Sequence, residues 1–128
     1  MDLAALRQEY MRAGLNEHDL AADPFMQFGG WLDEVLRSGI ALPNAMTLAT
    51  ATKKGRPSAR AVLLKGYDAR GFVFYTNYRS RKAREIEAKS SACLLFLWSD
   101  LERQVRIEGV VGKISARESD EYYVTRPL

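Results

Sequence analysis

Residues 45–77 read AMTLATATKKGRPSARAVLLKGYDARGFVFYTN. Apolar and polar residues alternate here with a period of two, the pattern of a half-buried strand. AMTLATAT reads as one strand, KKGRP as a turn and SARAVLLK as a second strand. GYDARG is another turn and FVFYTN a third strand. Strands joined by turns this short predict an antiparallel meander. Downstream, SACLLFLW (91–98) is an apolar run of the buried-strand kind, SD a tight turn, and LERQVRIEGVVGKIS (101–115) a long final strand. Five such strands are expected to curl into a small barrel, because closure removes strand edges.

Helices flank and interrupt these strands. Leu3, Leu6 and Tyr10 recur at helical spacing within residues 2–13. Asp23 followed by Pro24 is a helix start, with Asp as N-cap and Pro in the first turn. Phe28, Trp31, Leu32, Val35 and Leu36 form an apolar stripe on that helix, and Ser38-Gly39 ends it. Gly29 and Gly30 weaken it locally, as close packing would require. A further helix is expected from about Ser80 to Lys89, and a short one over Ala116 to Val124. The whole is a mainly β, single-domain chain: helical over 1–44, barrel strands with one inserted helix over 45–115, and the start of a helical segment over 116–128.

Composition fits that size. The chain has 128 residues, 47% hydrophobic and 27% charged, enough for one core. Its net charge of +3 arises from 19 basic and 16 acidic residues of mixed order. So mild an excess suits small anionic ligands and argues against nucleic acid. One cysteine, Cys93, and one histidine, His18, exclude a disulfide framework and a Cys/His metal cluster. With no apolar leader and no run of membrane-spanning length, a cytoplasmic protein without membrane or metal is the expectation.

Residues 74–87, FYTNYRSRKAREIE, pass from strand to helix, with Arg79, Ser80, Arg81 and Lys82 at the junction. Cations in a first helical turn oppose the macrodipole. Either they form a solvated helix end, or they hold an anion such as phosphate. In the second strand Arg60 and Lys65 bracket four apolar residues. Five positions apart, they face opposite sides of a regular strand. Both reach one ligand only if the strand bends or the ligand wraps its end.

RAVLLKGYD, GFVFYTN, SRKAREIE and LFLWSDLERQVRIEG follow one another in this order. Together with LRQEY, AGL and ADPF upstream and YYVTRP at the end, they resemble the pyridoxamine 5′-phosphate oxidase family over nearly the whole chain. The resemblance implies an FMN-binding split barrel in a homodimer with flavin at the interface. It implies that Arg60 contacts the FMN phosphate. The backbone of Ala61, Val62, Leu63 and Leu64 would run along the isoalloxazine, and Lys65 would serve both cofactor and substrate. Tyr75 and Thr76 match a flavin-contacting pair, Arg81 and Lys82 the cationic pair at the phosphate, and Gln104 a flavin-ring contact. Tyr122 and Arg126 match the pair holding the substrate phosphate, and Arg7, Gln8, Glu9 and Tyr10 a segment that closes over the substrate. The activity so implied is oxidation of pyridoxamine or pyridoxine 5′-phosphate to pyridoxal 5′-phosphate, with dioxygen reoxidising the flavin to give hydrogen peroxide.

Two phosphates need two cationic sites, and guanidinium groups answer that need with bidentate contacts. Relative to the family, the chain stops short of a segment reaching the partner's flavin and of an Arg-x-His pair over the substrate. It is expected to be a fragment or a shortened relative, with an exposed barrel edge and weak turnover. The rival reading is an FMN-binding split barrel without this oxidase activity.

Overall fold

The computed structural model describes residues 3, 20–76, 91–113 and 120–125. The expected helices over 2–13, apart from Leu3, and over 80–89 lie outside these residues. Helix α1 spans Pro24–Ser38. The Asp23 carboxylate accepts the Phe25 N–H at 2.9 Å, which satisfies one donor that the helix itself leaves unpaired. At the other end Gly39 takes a left-handed φ of 76°, open to glycine without strain. The apolar stripe is narrower than expected. Phe28 and Val35 are buried and Trp31 and Leu32 half-buried, but Leu36, at the stripe's margin, is 56% exposed.

Six strands follow: β1 (Ala45–Ala51), β2 (Pro57–Asp68), β3 (Gly71–Thr76), β4 (Ser91–Trp98), β5 (Arg103–Lys113) and β6 (Asp120–Thr125). They form a closed antiparallel barrel in the order β1-β2-β3-β6-β5-β4. The split-barrel expectation therefore holds, with one correction. The short helix expected over Ala116 to Val124 is not formed at residues 120–125, which make a sixth strand. The reason is tertiary. β6 pairs with β3 on one side (Phe74↔Tyr122) and with β5 on the other (Val111↔Val124). Ladders on both sides leave few of its backbone groups unpaired, and Tyr, Tyr, Val and Thr favour a strand. The exposed edge expected of a five-stranded sheet is the one β6 fills, and pairing of β1 with β4 completes the ring.

Alternation decides what lies inside. Met46, Leu48 and Thr50 on β1 point inward, as do Val62 and Leu64 on β2 and Leu94, Phe96 and Trp98 on β4. Helix α1 covers this interior. The Phe28 ring sits 5.1 Å from Phe72, 5.2 Å from Phe96 and 5.8 Å from Trp98, centroid to centroid. Edge-to-face and tilted aromatic contacts of this kind add to the area they bury. Arg103 lies 4.9 Å over the Trp31 ring and ties the start of β5 to the same helix.

Strand β2 bends. Its pairing with β3 steps from Leu64↔Phe74 to Gly66↔Val73, which leaves Lys65 as an extra residue. A one-residue bulge exchanges the faces of everything beyond it. Tyr67, odd-numbered on a strand whose even positions face inward before the bulge, consequently lies on the same side as Phe72 and touches the core's edge while staying 36% exposed. Its ring stacks on Phe72 at 6.0 Å and meets Phe28 edge-on at 4.9 Å.

Tyr67 also explains one glycine. A Cβ at Gly29 would stand 2.8 Å from the Tyr67 hydroxyl, whereas one at Gly30 meets nothing within 4 Å. Gly30→Ala should therefore stabilise the protein by about 0.5–1 kcal/mol, the usual helix-interior gain. Gly29→Ala should gain less or destabilise, because Tyr67 must leave its place between two rings. Urea denaturation of the two variants checks this; equal gains would contradict it.

Candidate functional site

Arg60 stands opposite Leu48 in the β1–β2 ladder, on the inward side of β2 near the start of the strand. Its side chain is half-buried. Nη1 donates to the Leu48 carbonyl at 3.0 Å and to the Thr50 hydroxyl at 2.6 Å. Nη2 donates to the Ser58 hydroxyl at 2.6 Å. All three acceptors are neutral. They orient the guanidinium plane.

The rest of β2 divides by face. Val62 and Leu64 are 9% and 6% exposed, so only their backbone is open to a ligand. Ala61, Leu63 and Lys65 point outward, and Leu63 is 37% exposed. Arg60 and Lys65 thus lie on opposite faces, as the spacing requires, and the strand bends at Lys65 itself. Asn44 secures this stretch. Its Nδ2 donates to the Leu64 carbonyl at 3.0 Å, and its own carbonyl accepts the Leu64 N–H at 2.8 Å.

Gln104 is exposed on the outward side of β5, paired with Leu97 of β4. The registers place Ala61, Thr47, Leu95 and Arg106 in one row across the outside of β2, β1, β4 and β5. Gln104 and Leu63 sit on that same outer surface. It is built largely from Ala, Leu and Thr, with Leu97 66% exposed. Cys93 faces outward in it, and partial burial, with Glu108 nearby, raises its thiol above the ordinary range. It stays protonated near neutral pH and is no ready nucleophile.

A cavity of about 920 Å³ opens between α1 and the strands, lined among others by Phe25, Phe28, Phe72, Thr50, Cys93 and Ile107. It borders Thr50, one of the groups that hold Arg60.

Tyr75, Thr76 and Tyr122 are placed by backbone register alone, in β3 and β6, with Tyr75 opposite Glu121 and Thr76 opposite Asp120. Arg81, Lys82, Arg7, Gln8, Glu9, Tyr10 and Arg126 lie outside the described residues. The structure therefore brings Arg60 to one end of β2 and sets Leu63, Lys65 and Gln104 on the outer surface. Three participants escaped the sequence reading: Thr50, Ser58 and Asn44. Thr50 did leave a signal, since a hydroxyl at the third inward position of an otherwise apolar strand needs a partner.

Residues 32–128 match the sequence model of the family described as pyridoxamine 5′-phosphate oxidase. A pyridoxine/pyridoxamine 5′-phosphate oxidase of Rubrobacter xylanophilus is 64% identical over 126 residues, covering 98% of this chain and 58% of that protein. One from Bordetella pertussis is 56% identical over 128 residues, covering 100% of this chain and 61% of that protein. The chain thus spans about 60% of the length of these curated relatives. Among solved structures, PhzG from Burkholderia lata 383, in complex with tetrahydrophenazine-1-carboxylic acid, superposes with a TM-score of 0.75 at 30% identity, covering 81% of this chain and 52% of that one. A pyridoxamine 5′-phosphate oxidase-related, FMN-binding protein of Nostoc punctiforme gives a TM-score of 0.64 at 25% identity, covering 77% of this chain and 52% of that one. With the family match extending over most of its length, and with the barrel and register described above, the chain belongs to the pyridoxamine 5′-phosphate oxidase family.

Proposed function

We propose that this chain binds FMN and serves the oxidation of pyridoxamine or pyridoxine 5′-phosphate to pyridoxal 5′-phosphate, with dioxygen as final acceptor. The observation that carries the reading is Arg60, a guanidinium oriented by three neutral oxygens at the end of the strand that would line the flavin. A dianionic phosphate is the ligand such a group suits best. The remaining residues fit the cofactor as well. The outward face of Ala61 and Leu63 offers an apolar platform, which a ligand held by the inward-facing Arg60 reaches by wrapping the end of the strand, and Gln104 can both donate to and accept from a polar ring edge. When bound, FMN supplies hydride acceptance and reoxidation by dioxygen with release of hydrogen peroxide.

The protein's own part is binding and orientation. Arg60, Arg81 and Lys82 would hold the cofactor phosphate, with Tyr75 and Thr76 beside them. Tyr122 and Arg126 would hold the substrate phosphate, Lys65 would lie between the two ligands, and Arg7, Gln8, Glu9 and Tyr10 would close over the substrate. The outer surface of β2, β1 and β4, whose exposed Leu63 and Leu97 gain from being covered, supports a homodimer. A cytoplasmic location suits an enzyme of this kind. Among the described residues no helix is long and apolar enough to cross a membrane.

A second reading keeps FMN but changes the reaction. The structural relative PhzG was solved in complex with tetrahydrophenazine-1-carboxylic acid, a ring-bearing ligand that is not a pyridoxyl phosphate.

Three measurements test these readings. FMN should bind at least about tenfold more tightly than riboflavin, since a charge-assisted contact is worth roughly 1.5–3 kcal/mol. Arg60→Ala should remove most of that difference. Fluorescence titration of both flavins decides it, and equal affinities would sink the phosphate assignment. Next, anaerobic addition of pyridoxamine 5′-phosphate to the FMN-loaded protein should bleach the flavin absorbance; a flavin that stays oxidised favours the second reading. Finally, the protein should sediment as a dimer at micromolar concentration, and Leu97→Asp should shift it to monomer with its circular dichroism unchanged. A monomeric parent protein would rule out the proposed interface.

A further inference from the structure

We infer that the turn joining β1 to β2 steers the anionic cofactor to its site: Lys53, Lys54 and Arg56 speed the capture of a phosphorylated flavin without contacting it once bound. The inference rests on the proposed binding of the FMN phosphate at Arg60 and adds how the anion arrives there. Charge is unevenly distributed along the chain. From Ala45 to Tyr67 the sequence holds Lys53, Lys54, Arg56, Arg60 and Lys65 and no Asp or Glu. The whole chain has a net charge of +3, so the rest of it is net negative. The positive excess is therefore that of one hairpin, and the tip of the hairpin carries most of it.

The tip does not use these side chains to hold itself. The Thr52 N–H donates to the Arg56 carbonyl and the Gly55 N–H to the Thr52 carbonyl, each at 2.9 Å, and the Arg56 N–H donates to the Thr52 hydroxyl at 3.0 Å. Lys53, Lys54 and Arg56 are exposed, and no described residue forms an ion pair with them. Of the acids on neighbouring elements, Asp23 caps α1 through the Phe25 N–H and Glu108 pairs with Arg106. The turn also stands close to the candidate site. Ser58, whose hydroxyl accepts from Arg60, is two residues from Arg56, or about 7 Å along a strand. Ser91, where the chain enters β4 after Arg81 and Lys82, lines the same cavity as Ala51 at the base of the turn. The Debye length at physiological ionic strength is about 8 Å, so the turn's charge still acts on an anion approaching Arg60. Clustered cations beside a site raise the rate at which anions reach it, and added salt removes the gain.

The test uses the full chain and stopped-flow fluorescence with FMN and riboflavin. Replacing all three cations (Lys53→Gln, Lys54→Gln, Arg56→Gln) should slow FMN association by about fivefold at low ionic strength. The difference should vanish at roughly 0.5 M salt, where screening is nearly complete. Dissociation of FMN, and both rates for riboflavin, should stay within about twofold of the parent. Each single substitution should give part of the effect, so the result does not hang on one variant. Arg37→Gln removes a cation at the far end of α1, roughly 20 Å along the helix from its start, and should leave FMN association unchanged. An unchanged association rate in the triple variant overturns the inference. So does a loss carried by faster dissociation, which would make the turn a bound-state contact, or an equal effect from Arg37→Gln. A parent protein that binds both flavins equally removes the phosphate role of Arg60, and this inference with it. A parent that prefers FMN but captures it at a rate indifferent to the turn's cations removes only the steering.

Discussion

Around a closed ring of strands, each backbone segment is hydrogen-bonded on both sides, and every residue must then point either into the barrel or away from it. That choice governs the rest of the molecule. On β2 it sends Val62 and Leu64 into the core, Leu63 and Lys65 outward, and Arg60 onto the inward side where β1 supplies its partners. On β5 it sends Ile107 inward and Gln104 outward, onto the surface that carries Leu63. The core and the candidate site are therefore two sides of the same strands, and neither can be repositioned without the other.

Most of this alternation can be read in the amino-acid sequence. β1 to β5 follow the strand runs and short turns, and α1 follows its Asp-Pro start and Ser-Gly end. What could not be read is what depends on pairing between distant segments. DEYYVT resembles a helix end in isolation and becomes β6 because two ladders await it. The partners of Arg60 come from β1, twelve and ten positions earlier in the chain, so only the register reveals them. A bend was one of two conditions legible in the sequence, the other being a ligand that wraps the strand's end, and the irregularity at Lys65 leaves Arg60 and Lys65 on opposite faces. Its form, a single extra residue, was not legible, because no glycine or proline marks Lys65 itself.

The charge arrangement follows the same logic of separation. Arg60 is held by neutral oxygens, while Arg106 pairs with Glu108 at 3.3 Å on the exposed outer surface. The second arrangement is a solvated ion pair of small energetic consequence. The first sits in half-buried surroundings, where electrostatic interactions are less screened.

The extra residue at Lys65 also constrains how this sequence can change length. A deletion there would return Tyr67 to the outside, withdraw a ring from Phe28 and Phe72, and leave a gap beneath α1. A further insertion would invert the same half of the strand. The turn at 52–56 faces no such requirement, since it is closed by its own Thr52–Arg56 and Gly55–Thr52 hydrogen bonds at the barrel's rim. Descendants of this chain can therefore vary in that turn, while β2 has to keep its one extra residue at the bulge.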